Sequence, residues 1–257
     1  MDRRRTFDGV AEVYHSIRPG YPAALFDDLF ARLPADPFLL EVGPGTGQAT
    51  RDLLARGARV HAIELGPALA AALRRELPSA RLEIEVGDFE LAPAVEAAFD
   101  GVCSASAYHW IDPVQQRDRP ATLLRPGGVL AVVGLVQVDA PEDRGFFDAA
   151  QPIYERHGLP HEEPPAPSRA DVDSELRAAL DADPRYEAVE LHRYDWDQTY
   201  SAAGYRALQA SYSITQLMPS DARAALLDEL EAFIRERFDD RVTRPLVATL
   251  TMARRVG

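Results

Sequence analysis

The chain of 257 residues contains no lysine, no asparagine and a single cysteine. Without lysine there is no Schiff-base chemistry and no phosphate-binding P-loop lysine. One cysteine excludes an intrachain disulfide, and Cys103 stands inside an apolar run, which points to a buried, inert thiol rather than a nucleophile. Positive charge is also scarce. All 28 basic residues are arginine, and 41 acidic residues bring the formal net charge to −13. That balance opposes a phosphate backbone, so nucleic acid is not an expected partner. No run approaches the roughly 20 apolar residues that cross a bilayer, and "MDRRRTFDGVAEVY" lacks the apolar stretch of a signal peptide. The expected setting is the cytoplasm, with no membrane partner.

What is present is an ordinary globular composition, 46% hydrophobic and 27% charged, enough for a sizeable core. From Phe38 to Gly134 short apolar runs (FLLEV, RVHAIEL, RLEIEV, FDGVCSA, GVLAVVG) alternate with helical patterns (QATRDLLARG, PALAAALRREL, DPVQQRDRPATLL). This alternation predicts stacked βαβ units, an α/β doubly wound parallel sheet with helices on both faces. Residues 1–34 read as an N-terminal helical cover broken at "RPGYP", and 35–257 as the core with an inserted cap at about 137–218. The proline-rich "GLPHEEPPAPSR" is an expected loop. Residues 186 to 198 alternate as a strand, and "PSDARAALLDELEAFIRERF" aligns Leu226, Leu230 and Phe233, flanked by Leu227 and Ile234, on one side of a helix. "VTRPLVATLTMARR" reads as one last strand with Pro245 at a bulge or edge.

"LLEVGPGTGQAT" sets Gly43, Gly45 and Gly47 between the first strand and first helix, where glycine permits a sharp turn and close approach of a ligand to the helix N-terminus. Glu64 ends the second strand, the place where an acid in this architecture accepts both ribose hydroxyls. Asp88 follows the third strand, placed to accept from an exocyclic amine such as adenine's, with Phe89 beside it to pack on the ring. Glu41, just before the first glycine, opposes a pyrophosphate and suits a cationic ligand. Each feature alone is equally well a turn or a solvated strand end; in order, at successive strand ends, they point to a nucleoside-containing cation.

These residues resemble the class I S-adenosylmethionine-dependent methyltransferases: "EVGPGTG" is similar to their first motif, Glu64 to their ribose acid, "GDFE" to their adenine step and "LLRPGG" to the turn before the fifth strand. "FDGVAEVYHSIRPGYP", "SASAYHWID" and "ASYSITQLMPSDARAALLDEL" are similar to the small-molecule branch that includes trans-aconitate methyltransferase-like proteins. The resemblance implies a Rossmann-like, seven-stranded, mostly parallel sheet with an antiparallel last strand. It implies S-adenosylmethionine as cofactor, S-adenosylhomocysteine as product, and a small-molecule substrate. It places Glu41, Gly43, Gly45 and Gly47 around the methionine part, Glu64 and Leu65 at ribose, and Asp88 and Phe89 at adenine. Ser104 falls near the sulfonium, with His109 and Trp110 at the same rim, and Tyr14 and Arg18 near the aminocarboxylate. Where many amine-methylating families carry Asn or Asp followed by Pro-Pro-Tyr, this chain has "SASA", which disfavours nucleobase N-methylation and leaves O-methylation first among O, N and C.

His109 is either a general base or a positioner of Trp110 and the cofactor. Tyr21, together with Tyr200, Tyr205, Tyr212 and Ser213, either lines the acceptor pocket or packs. His157, His161, Glu162 and Glu163 look like a metal cluster, but Gly158 and Pro160 prevent the regular helix that would align them, so no metal is expected. The competing readings are a nicotinamide-dependent (NAD(P)) oxidoreductase, disfavoured by the glycine spacing and Glu41, and a non-catalytic cofactor-binding protein. Oligomeric state is open between monomer and homodimer.

Overall fold

The computed structural model describes residues 20–93, 96–159 and 166–257. In chain order its first elements are α1 (Ala23–Phe30), β1 (Phe38–Val42), α2 (Gln48–Ala55), β2 (Arg59–Glu64), α3 (Pro67–Glu76), β3 (Leu82–Val86), β4 (Phe99–Ala105), α4 (Gln115–Leu123) and β5 (Leu124–Gln137). There follow α5 (Phe146–Arg156), α6 (Glu175–Asp181), β6 (Tyr186–Asp195), β7 (Gln198–Ser201), α7 (Ala202–Ala210), α8 (Ser213–Gln216), α9 (Ser220–Arg237), β8 (Arg241–Arg244) and β9 (Leu246–Arg255). The expected alternation of strands and helices up to β5 is therefore present.

The main sheet has seven strands in the order β3-β2-β1-β4-β5-β9-β6. β1 pairs in parallel with β2 and with β4, and β2–β3 and β4–β5 are parallel as well. β9 runs the other way: Thr249 lies against Gly134, whereas Arg254 and Arg255 reach back to the carbonyls of Gly127 and Leu124. This is the Rossmann-like arrangement with an antiparallel last strand. Every residue of β1 from Leu39 to Val42 is buried, as a central parallel strand covered on both faces requires.

The chain forms two compact units. One comprises Gly20–Leu135, Asp173–Tyr194 and Ala248–Gly257, and its core includes Leu40, Val102, Tyr108, Leu130 and Ala253. The other, among the described residues, comprises Val136–Val172 and Asp195–Val247. Its core centres on Phe146, which meets Tyr205 and Phe238 edge-on at 5.1 and 5.3 Å between ring centroids, with Leu226, Leu230 and Ile234 of α9 packed in the same cluster. Leu227 is buried as well, and Phe233 is partly buried against this core.

One expectation needs correction. "VTRPLVATLTMARR" is not a single strand: β8 pairs antiparallel with β7 in a separate two-stranded sheet, and β9 belongs to the main sheet. Pro245 separates them, because it has no N–H with which to continue a ladder. Likewise, the strand read at 186 to 198 ends at Asp195, and Gln198 starts β7.

Candidate active site

The strand order reverses between β1 and β4, and in open α/β sheets ligands settle outside the carboxyl ends of the strands at such a reversal. The segments leaving those two ends are the glycine loop and "SAYHW". They touch: a Cβ added to Gly43 would stand 2.6 Å from the Ala107 Cβ, and Gly43 has φ +65°. Both facts demand glycine. Gly47 caps α2 at φ +96°, and a Cβ there would meet the Leu73 and Leu77 methyl groups of the neighbouring helix at 2.6 and 2.7 Å. Gly45 also adopts a positive φ, of 59°.

Glu64 organises this loop. One carboxylate oxygen accepts from the Gly45 amide at 2.9 Å and the other from the Gly66 amide at 2.8 Å, which ties the glycine turn to the end of β2. Leu65 beside Glu64 is partly buried. Asp88, after β3, is partly buried and accepts from the Glu90 amide at 3.0 Å. Phe89 is buried in the same core cluster as Tyr108 and Ile111, and the Arg119 guanidinium lies 5.2 Å from its ring centroid. Phe89 thus serves the core, and Asp88 is the more accessible of the pair.

Beneath the loop, Glu41 is 1% exposed, and neither carboxylate oxygen has a hydrogen-bond partner among the described residues. Burial pushes its pKa up to about 7; the Thr50 hydroxyl, near the carboxylate but outside hydrogen-bond geometry, opposes the rise, and the Glu64 carboxylate adds to it. A buried acid without a partner is costly, and a cationic group close by would relieve that cost.

On the β4 side, the Ser104 hydroxyl is buried and donates to the Val42 carbonyl at 2.8 Å, so it joins β4 to β1 at the reversal. Ser106 has φ 56°, and the Tyr21 hydroxyl donates to its side chain at 3.1 Å. Next comes a single 3-10 turn, Tyr108–Trp110. It is anchored by a device the sequence reading did not find. Pro120 inside α4 has no N–H for the Gln116 carbonyl four residues earlier, and that carbonyl accepts the Tyr108 hydroxyl at 2.6 Å instead. The Gln116 side chain in turn donates to the carbonyls of Tyr108 and Ile111. A proline within a predicted helix, preceded at four residues by Gln, was the only available signal. Tyr108→Phe is expected to leave the Gln116 carbonyl unpaired and to cost about 1–3 kcal/mol in urea denaturation, with no change in secondary structure.

This anchored turn presents His109 and Trp110, with ring centroids 4.9 Å apart. His109 is exposed and has no hydrogen bond or ion pair with another described residue; desolvation of its covered part lowers its pKa, so the imidazole is neutral at pH 7. Tyr14 and Arg18 lie outside the described residues, as do His161, Glu162, Glu163 and the Ser213 side chain. Tyr205 is fully buried and packs on Phe146 in the second unit, while Tyr200 and Tyr212 are partly buried there. His157 bonds Glu229 at 2.8 Å.

The methyltransferase-domain family matches residues 40–132, the span from β1 through the core of β5. An uncharacterized methyltransferase of Mycobacterium tuberculosis is 29% identical over 91% of this chain and 87% of its own length. The malonyl-[acyl-carrier protein] O-methyltransferase of Enterobacter lignolyticus is 37% identical over 48% of this chain and 49% of its own. Among solved structures, a putative type II methyltransferase from Anaeromyxobacter dehalogenans is 27% identical, with a TM-score of 0.61, over 93% of this chain and 97% of that one. The nicotinamide-dependent alternative falls with these matches. Strand order, glycine loop, strand-end acids and relatives agree on a class I S-adenosylmethionine-dependent methyltransferase, with the methyltransferase domain matched over residues 40–132.

Proposed function

We propose that this chain transfers a methyl group from S-adenosylmethionine to a small-molecule acceptor, with oxygen the favoured acceptor atom, and that it does so in the cytoplasm. The observation that carries the cofactor reading is the buried Glu41 carboxylate beneath the glycine loop, without a hydrogen-bond partner among the described residues, a position that favours a cation and disfavours a pyrophosphate. S-adenosylmethionine supplies, when bound, an electrophilic methyl group on a positively charged sulfur. Glu41 and the loop of Gly43, Gly45 and Gly47 hold its methionine end. Glu64 and Leu65 hold the ribose, Asp88 the adenine amine, and Phe89 backs Asp88 from the core. Ser104 holds the ends of β1 and β4 together, so that the glycine loop and the His109 turn keep their spacing. No helix among the described residues is long and apolar enough to cross a membrane.

In-line methyl transfer asks the protein chiefly to align acceptor and methyl group and to exclude water. Trp110 and Tyr21 supply walls at the rim for that purpose. His109 accepts the acceptor's proton: its imidazole is neutral and unengaged by any described residue, which favours a base over a positioner. Preference for oxygen rests on the "SASA" segment and on the O-methyltransferase relative. An assay with S-adenosylmethionine and a panel of carboxylic acids, phenols and amines, read by mass spectrometry, tests the reading; methylated amines alone would overturn the preference. For a phenolic acceptor, His109→Gln is expected to lower kcat about 100- to 10,000-fold and to remove the acid limb of the pH profile. An unchanged profile would remove His109 as the base.

A further inference from the structure

The second unit contains a cation that no described acid neutralises. Arg244, the last residue of β8, donates from Nε and Nη2 to the Gln137 side-chain oxygen at 3.1 and 2.9 Å and from Nη1 to the Tyr212 hydroxyl at 2.8 Å. Its guanidinium lies 6.0 Å from the Tyr212 ring centroid. Tyr200, Tyr205 and Tyr154 complete its surroundings, with the last two joined hydroxyl to hydroxyl at 2.9 Å. In the β7–β8 ribbon Gln198 pairs with Arg244 and Tyr200 with Val242, which sets the Tyr200 and Arg244 side chains on one face.

Several described acids of this unit are paired elsewhere. Asp195 and Asp197 pair with Arg169, Glu229 with Arg156 and His157, Glu231 with Arg206 and Arg235, and Asp239 with Arg144. The tyrosines offer no negative charge either: burial pushes Tyr154 up to about 12 and raises Tyr205 well above its ordinary value. An arginine cannot shed its proton under these conditions. Three of its five N–H groups are used, which leaves one on each terminal nitrogen without a partner among the described residues. Those are the two nitrogens that a carboxylate or a phosphate bridges.

We propose that Arg244, set among Tyr154, Tyr200, Tyr205 and Tyr212, is the binding point for a small organic anion with an aromatic or apolar body, its carboxylate or phosphate on the guanidinium. The site is built from the second unit alone and is independent of the cofactor reading. Because no described acid neutralises the guanidinium, an anion placed on it relieves the cost of that buried charge.

Calorimetric titration of the full chain with benzoate, phenyl phosphate and neutral benzamide, repeated on R244M and Y212F, tests this. Saturable binding of benzoate or phenyl phosphate, but not benzamide, is expected; whichever anion binds tells carboxylate from phosphate. R244M is expected to weaken that binding roughly 10- to 100-fold. R244M is also expected to keep or raise the unliganded Tm, since removing an uncompensated charge relieves the fold. Y212F, which keeps the cation and loses one hydroxyl, is expected to weaken binding by less. Absence of binding by both anions, equal binding of benzamide, or anion binding unchanged in R244M would overturn the proposal. A loss of Tm in R244M together with unchanged anion affinity in Y212F would make Arg244 a structural tie only and would overturn it as well.

Discussion

Gly43→Ala is expected to destabilise the protein by about 2–5 kcal/mol and to weaken S-adenosylhomocysteine binding at least tenfold. Two costs combine. A non-glycine residue in the left-handed region costs roughly 1–2 kcal/mol, and forcing a methyl group into a filled space typically costs about 1–3 kcal/mol. The contact is with the Ala107 Cβ at 2.6 Å, and a Cβ cannot rotate away as a leucine methyl can. Relief must come from moving the glycine loop or the turn after β4, the two segments that flank the strand reversal. Gly47→Ala meets only the flexible ends of Leu73 and Leu77 and is expected to cost less. Urea denaturation and calorimetry read both effects. The double variant G43A/A107G removes the overlap but keeps the strained φ, so it should recover part of the loss; no recovery would mean that the contact is not what limits the loop.

Glu64→Ala is the second large effect. Its carboxylate accepts from the amides of Gly45 and Gly66, so truncation leaves two backbone donors without their partner, at roughly 1–3 kcal/mol each. A ribose bound there would lose its acceptor too. Stability should fall by about 2–6 kcal/mol, and S-adenosylhomocysteine affinity by about 100-fold or more. Glu64→Gln separates the two roles. Its single oxygen can still accept one amide, so much of the stability should return while most of the affinity loss remains. If Gln restores affinity as well, Glu64 acts through the loop alone.

Much of the first unit was legible because its elements are short, periodic and bounded by glycine or proline. "FLLEV", "RVHAIE" and "QATRDLLA" appear as β1, β2 and α2 with only terminal adjustments. The glycine loop was legible for the same reason, since spaced glycines between a strand and a helix have few other uses. What was hidden depends on contacts distant in sequence. The closeness of Gly43 and Ala107 follows from strand order, which periodicity does not encode. The engagement of Glu64 by two amides and of Ser104 by the Val42 carbonyl follows from the packed strand ends. Pro245 carried a readable signal, but whether a proline bulges one strand or separates two depends on which partner strands lie on each side. Arg244 gave no signal at all, because an arginine in a strand pattern is ordinarily a solvated edge residue.

The central claim is that a buried acid beneath the glycine loop receives the cationic end of S-adenosylmethionine. Burial pushes the Glu41 pKa up to about 7 in the ligand-free protein, so part of it is protonated near neutral pH. A cationic amino group beside it favours the ionised form and lowers that pKa, so binding must release a proton. Calorimetric titration of S-adenosylhomocysteine at pH 7, in two buffers of different ionisation enthalpy and with NAD as the comparison ligand, measures this directly. The predicted result is saturable S-adenosylhomocysteine binding with a fraction of a proton released, lost in Glu41→Gln, and no comparable heat from NAD. Proton uptake on binding, or NAD binding as tight as S-adenosylhomocysteine, would contradict it.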